Sequence, residues 1–310
     1  MTITPGYVGI DISKTTLDIF DTAIGRAERL ANAGEPIAVK AAQWRRQGCF
    51  VLFEATGSYD RCLQEALRTE GVPFARVNPA RARDFARASG FLAKTDTLDA
   101  RMLAAMAQRL RPEAQEPAEP ERLALATLQR RRDQLVAMRA SERTRLKDAL
   151  DAQEEQSLRS HIAWLSQEIA DFERRITAHI RQTPKMEQAY QRLRSAPGVG
   201  PVAATTLIAL LPELGRRSPK AIAALAGLAP FNRDSGTFRG KRSIGGGRRR
   251  VREALYIAAF AAKRYCPHFR KRYQEMRQAG KPMKVALIAI ARQLLVRLNA
   301  MLRNDIAYQQ

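Results

Sequence analysis

The run Cys49-Phe-Val-Leu-Phe-Glu54 is apolar throughout and ends in a carboxylate. A continuous run of this length reads as a strand buried on both faces, so helices must cover it above and below. Tyr7-Val-Gly-Ile-Asp11 is a second short apolar strand that ends in an acid. Leu17-Asp-Ile-Phe20 alternates as the return strand of a hairpin, and a weakly marked third strand lies near residues 29–32. Residues 36–47 and 59–69 read as helices, Val72–Val77 as a fifth strand, and Asn78-Pro79 as the start of a further helix. The order β-β-β-α-β-α-β-α predicts a mixed sheet with helices on its faces.

Two further acids follow in Lys94-Thr-Asp96-Thr-Leu-Asp99-Ala-Arg101. If that segment is helical, the spacing puts Asp96 and Asp99 on one face. Each of Asp11, Glu54, Asp96 and Asp99 alone has an ordinary structural reading, as a turn residue or a helix N-cap. Together, four crowded carboxylates are unfavourable unless a cation sits among them, and oxygen-only ligands select Mg2+ or Mn2+. A pair of such ions suits phosphodiester chemistry.

The chain carries a net charge of +22, which points to a polyanionic partner. The excess is uneven: residues 1–110 sum to +3, residues 111–185 to +1 and residues 186–310 to +18. Domain boundaries follow the same division. Residues 1–111 form the acid-bearing domain and the Pro/Glu-rich segment 112–120 a linker. A helical hairpin is expected over 121–185 and a basic domain over 186–310. In the hairpin, Leu158, Ile162, Leu165, Ile169, Phe172 and Ile176 alternate at spacings of four and three, an a/d seam. The seam serves either an antiparallel pair within one chain or a coiled coil between chains. No window of 18 uncharged apolar residues and no basic-then-apolar leader is present, so no membrane span or signal peptide is expected. Three scattered cysteines exclude a disulfide framework, and three histidines without ligand spacing argue against zinc. A cytoplasmic location is the expectation.

In the basic domain, Ala196-Pro-Gly198-Val-Gly200-Pro opens an apolar helix and is similar to a helix-hairpin-helix turn, which grips DNA phosphates through backbone N–H groups. A tight turn between packed helices is the other reading. Eight basic residues and one acid lie between Arg233 and Arg252, interrupted by Gly and Ser, so 232–247 reads as a loop or ribbon. Arg233, Arg239, Lys241, Arg242, Arg248, Arg249 and Arg250 are its candidate phosphate ligands. Helices over 253–266 and 283–303 follow, with further Lys and Arg between them.

The acid set, in its β-β-β-α-β-α-β-α frame, resembles the ribonuclease-H-like fold of RuvC-type resolvases. The surrounding Val8-Gly-Ile-Asp11, Phe53-Glu54-Ala-Thr-Gly57 and Lys94-Thr-Asp96-x-x-Asp99-Ala are similar to the DEDD transposases of bridge-RNA-guided bacterial insertion sequences. The order Gly227-Leu-Ala-Pro230, Ser235-Gly236, Gly240-Lys-Arg242, a glycine run and an Arg-rich helix start resembles the C-terminal domain of the same family. That resemblance implies that Ser235 is a nucleophile forming a phosphoserine link to DNA, with Ser243 as competitor. It implies Mg2+ or Mn2+ on Asp11, Glu54, Asp96 and Asp99, donor and target DNA, a noncoding bridge RNA, and a homodimer or homotetramer with a composite site. A water-using RuvC-like junction nuclease and a non-enzymatic nucleic-acid scaffold are the alternatives.

Overall fold

The computed structural model describes residues 6–55, 57, 59–91, 96–115, 119–231, 240 and 242–309, and for Asp96 and Thr97 the backbone alone. The chain divides into two compact units, Met1–Pro117 and Ala118–Gln310.

The first unit is built on a five-stranded sheet: β1 (Tyr7–Ile12), β2 (Thr16–Asp21), β3 (Arg26–Ala31), β4 (Phe50–Glu54) and β5 (Phe74–Val77), in the order β3-β2-β1-β4-β5. The first three strands form an antiparallel meander, while β4 and β5 run parallel to β1. Among the described residues, four helices belong to this unit: α1 (Gly34–Gln47), α2 (Arg61–Glu70), α3 (Pro79–Ala88) and α4 (Asp96–Leu110). The two faces of the sheet bury separate sets. Val8, Ile10, Ile12, Val51 and Phe53 pack with Ile37 and Trp44 of α1 and Leu63 and Leu67 of α2. Leu52, Ala75 and Val77 pack with Ala82 of α3 and Met102, Leu103 and Met106 of α4. This double burial is why β4 is apolar at every position before Glu54. Asn78 starts α3 by accepting the Ala80 N–H at 2.8 Å, with Pro79 at the first helical position.

The second unit begins with a pair of long helices, α5 (Pro120–Arg145) and α6 (Ala152–Gln182). They are antiparallel. His179 meets the Glu121 carbonyl, Arg132 meets Glu173, Arg139 meets Ser166 and His161 approaches Glu142. Asp151 caps α6 by accepting the N–H groups of Gln153 and Glu154, both at 2.8 Å. Leu165 and Ile169 of the seam are buried against Leu135 of α5, and Phe172 packs beside them. Ile176 and Ile180 instead enter the core of the helices that follow.

Those helices are α7 (Pro184–Ser195), α8 (Pro201–Leu210), α9 (Pro219–Leu225), α10 (Arg249–Tyr265), α11 (Pro267–Gln278) and α12 (Met283–Arg303). Between α9 and α10 a two-residue ribbon pairs β6 (Pro230–Phe231) with β7 (Ser243–Ile244). At the centre lies α12, whose Leu287, Ile290, Leu294, Leu295 and Leu298 are fully buried. Each such side chain contributes about 2 kcal/mol of burial. By length and composition α12 is long and apolar enough to cross a membrane, the one such helix among the described residues. Arg292 and Arg297 interrupt it, and its buried leucines make it the core helix of this unit. The three cysteines are free thiols.

Candidate active site

Side chains alternate along a strand, so the α4 face of β1 carries Gly9 and Asp11. On β4 the same face carries Leu52 and Glu54. The parallel register pairs Ile10 with Phe53, so Asp11 and Glu54 end neighbouring strands on one side of the sheet. Gly9 explains how α4 comes so near. A Cβ there would collide with the backbone of Ala100 and Ala104 and sit 2.9 Å from the Leu103 carbonyl carbon. The missing side chain lets α4 lie directly on β1. Asp99 immediately precedes Ala100, and Asp96 opens the helix. The fold therefore brings strand-end acids and the start of an acid-bearing helix to one face of the sheet. Asp11, Glu54 and Asp99 are all half-buried, while the side chain of Asp96 lies outside the described residues.

Among the described residues no group of three or more His, Cys, Asp or Glu is gathered tightly enough to hold a metal ion. The chemistry of the donors still fits one kind of ion. Asp11, Glu54 and Asp99 offer only carboxylate oxygens, the ligand set of a hard divalent cation.

A further acid on this face escaped the sequence reading. Asp18 on β2 stands opposite Asp11 in the antiparallel register and is 6% exposed. Arg29, its neighbour on β3, donates to both of its oxygens, from Nε at 2.9 Å and Nη2 at 3.1 Å. The alternation in Leu17–Phe20 was the available signal, but only strand register shows that Asp18 lies beside Asp11. Next along the same strands, the Arg101 guanidinium lies 5.6 Å above the Phe20 ring, opposite Gly9. It ties α4 to β2.

In the second unit, Ser235, Arg233, Arg239 and Lys241 lie outside the described residues. Ser243 sits exposed on β7, opposite Phe231, and Arg242 is exposed just before it. The three arginines at the start of α10 separate into two kinds. Arg248 donates to both oxygens of Glu213, at 2.5 and 2.7 Å. Burial pushes the Glu213 carboxyl up, but the Arg248 hydrogen bonds and charge outweigh it and hold the group below its ordinary value. Arg250 donates to both oxygens of Asp133 on α5, each at 2.6 Å. Asp133 also accepts from Gln129, a side chain buried in the hairpin. Arg249 alone of the three projects into solvent, 85% exposed and paired with Glu253. Arg248 and Arg250 thus brace the helix start, a role the count of basic residues did not reveal.

The Gly198 turn also has a packing role. Its φ of +81° is open to glycine, and a Cβ there would fall 2.5 Å from the Ala262 nitrogen and 2.9 Å from its Cα on α10. Gly200 then caps α8, with Pro201 at its first position.

Residues 8–153 match the family of IS110-type DEDD transposases, and residues 190–274 match the transposase IS116/IS110/IS902 family. The pilin gene-inverting protein of Moraxella bovis is 29% identical over 314 aligned positions, covering 96% of each chain. Its counterpart in Moraxella lacunata is 28% identical, again over 96% of each chain. An uncharacterised 43.6 kDa protein of insertion element IS110 from Streptomyces coelicolor is 38% identical over 38% of this chain and 29% of its own. With one match covering the acid-bearing sheet and the other covering the basic helices, the chain belongs to the IS110/IS116 family of transposases and is a DNA transposase or recombinase.

Proposed function

We propose that this transposase cuts and rejoins DNA through Ser235. The serine Oγ attacks a backbone phosphorus, a phosphoserine bond forms and the bond to the 3′ oxygen breaks. The serine gives up its hydroxyl proton and the departing 3′ oxygen takes one up, so the step needs no oxidant or external energy. A free 3′ hydroxyl is then ready to attack the phosphoserine at another end, which restores the serine and seals a new junction. A serine hydroxyl is a weak nucleophile and needs activation. Asp11, Glu54, Asp96 and Asp99 would hold Mg2+ or Mn2+, which when bound lowers the charge at the phosphate. Arg233, Arg239, Lys241, Arg242 and Arg249 bind the phosphates beside Ser235, and the Gly198–Gly200 turn offers N–H groups to the same backbone.

The observation that carries this reading is the placement of Asp11, Glu54 and the Asp96–Asp99 helix start on one face of the sheet, with Gly9 letting α4 lie on β1. Similarity to proteins named for pilin gene inversion supports strand exchange that rejoins both ends, since excision alone cannot invert a segment. The RuvC-like fold of residues 1–111, supercoiling of the hairpin over 121–185, its use in a homodimer or homotetramer, and a noncoding bridge RNA that pairs with donor and target DNA belong to the same proposal. They rest on the family resemblance.

The test is a covalent-adduct assay. The protein is expressed with its native flanking noncoding DNA and given a cognate DNA end and Mg2+. DNA that stays attached after denaturation, and is lost in Ser235→Ala, supports serine recombination. An adduct that survives moves the nucleophile elsewhere, Ser243 being tested next. Free cleavage without an adduct in either protein replaces this reading with the water-using nuclease. Asp11→Asn is expected to lower strand cleavage by about a thousandfold with an unchanged melting temperature.

A further inference from the structure

Helix α10 is apolar on two sides. One side buries Val251, Ala254, Leu255, Ala258, Ala259 and Ala262 in the core. The opposite side of such a helix is ordinarily polar. Here Ile257 is 67% exposed, Phe260 46% and Tyr265 70%. At about 100° per residue Ile257 and Phe260 share a face with Arg264, while Tyr265, seven residues past the buried Ala258, ends the helix where the core stripe runs out.

Cations accompany the rings. Lys263 Nζ stands 4.5 Å from the ring centroids of both Phe260 and Tyr273, the latter on α11. The Arg264 guanidinium lies 5.6 Å from the Tyr265 ring. The acids of α10 and α11 are Glu253 and Glu275, engaged by Arg249 at 2.8 Å and Arg272 at 3.1 Å. With both of these acids engaged, Lys263 against the two rings and the exposed Arg264 leave this part of the helix positively charged among the described residues.

A partner for this face has to supply flat apolar surface and negative charge at close spacing. A second copy of the chain would bring a second set of the same cations to this face, with the acids of α10 and α11 already engaged. Paired DNA supplies the charge but hides its base faces in the stack. An unpaired strand supplies both, because every base has a ring face and every linkage a phosphate. A transposase exposes such strands whenever it parts the ends it cuts.

We propose that the outer face of α10, formed by Ile257, Phe260 and Arg264, together with Tyr265 at its exposed C-terminal end, is a stacking platform for unpaired bases of the DNA strand being exchanged. The proposal rests on the reading of the chain as a DNA strand-transfer enzyme and not on which hydroxyl attacks. It goes beyond phosphate binding by the basic loop, since its grip is on the bases.

The experiment uses the full chain and fluorescence anisotropy with labelled oligothymidylate, a duplex of equal length, and oligouridylate. Phe260→Ala with Tyr265→Ala is expected to weaken oligothymidylate binding about tenfold or more. Duplex affinity stays within about twofold, and the salt slope of oligothymidylate binding is unchanged because no phosphate contact is lost. Phe260→Trp retains full affinity. Tyr265→Ala alone, at the most exposed of the three positions, gives a smaller loss in the same direction and guards against a fold defect.

Equal losses on single strand and duplex overturn the proposal, as does no loss at all. A loss confined to oligouridylate makes the face an RNA platform instead. Lost binding to anionic phospholipid vesicles, or a shift from oligomer to monomer on sedimentation, assigns it to a lipid surface or to a second copy. Binding is read without strand transfer. A Ser235→Ala protein that still forms adducts would therefore remove the serine mechanism and leave this result standing.

Discussion

The sheet unit and the helical unit solve the same packing problem with opposite charges. In each, a glycine without room for a Cβ lets backbone approach backbone: Gly9 under α4, and Gly198 against α10. In each, charged groups of one sign then divide into braces and candidates for chemistry. Asp18 is held by Arg29 and Asp60 by Arg76, whose Nη2 lies 2.7 Å away, while Asp11, Glu54 and Asp99, each with interactions of its own, lie half-buried on the side of the sheet that α4 covers. Arg248 and Arg250 are held by Glu213 and Asp133, while Arg249 projects into solvent. Net charge therefore overstates what a partner can reach. Charge near a ligand matters only after the fold has taken its share.

The comparison breaks first at its glycines. Gly9→Val should cost the sheet unit about 3 kcal/mol or more, because α4 has to leave β1 and take Asp99 with it. Strand cleavage should fall to background. Gly198→Ala should cost the helical unit about 2 kcal/mol, from the strained φ and the contact with Ala262. Urea melts of the two variants check both values. If Gly9→Val melts like the parent and still cuts DNA, α4 does not depend on its seat on β1.

Much of the sheet unit was legible because its signals are local. The apolar run 49–54, the acid at each strand end and the D-x-x-D spacing each occupy a few residues, and their order implies the sheet. The strands found, β1 to β5, follow the expected order. Asp18 was not legible, since only the register with β1 and β3 shows its neighbours. In the helical unit the hairpin, α8, α10 and α12 were readable, the expected 283–303 span of α12 being the observed one, while α11 was read only as basic residues between two helices. The roles of its arginines were not. Arg250 finds its partner 117 positions away and Arg248 finds its own 35 away, and no local pattern encodes either. The exposed side of α10 was readable only as a basic segment, because which of its rings are buried depends on α11 and α12.

The arginines sharpen the comparison at intermediate size. Arg250→Ala should lower the stability of the helical unit by about 1–2 kcal/mol, leaving Asp133 without its bidentate donor. Arg249→Ala should leave stability within about 0.5 kcal/mol, since its pair with Glu253 is open to water. DNA affinity should respond in the opposite order, with Arg249→Ala lowering the salt slope by about one ion. Melting temperature and anisotropy measured on the same two proteins decide it. Equal effects of both variants on both readouts would erase the division between brace and ligand.

The smallest effect is a pH dependence, and its sign is specific. The Glu213 carboxyl in the folded chain lies below its ordinary value of 4.5, because the Arg248 hydrogen bonds and charge overcome burial. A group lowered by folding contributes stability above its unfolded value and loses it as pH falls through the folded value. The parent should therefore lose a little stability through this pair as pH falls below the ordinary value of 4.5. Arg248 is open enough to water that the amount is about 1 kcal/mol or less. In Arg248→Ala burial, which acts upward, is opposed only by a backbone hydrogen bond and the Arg217 charge. The variant's carboxyl is lowered less than the parent's, so the variant loses less stability on acidification and the gap between variant and parent should narrow. Melts of both proteins across that range test the sign. A gap that widens on acidification would mean that Arg248 holds α10 by packing its guanidinium and not by its charge on Glu213.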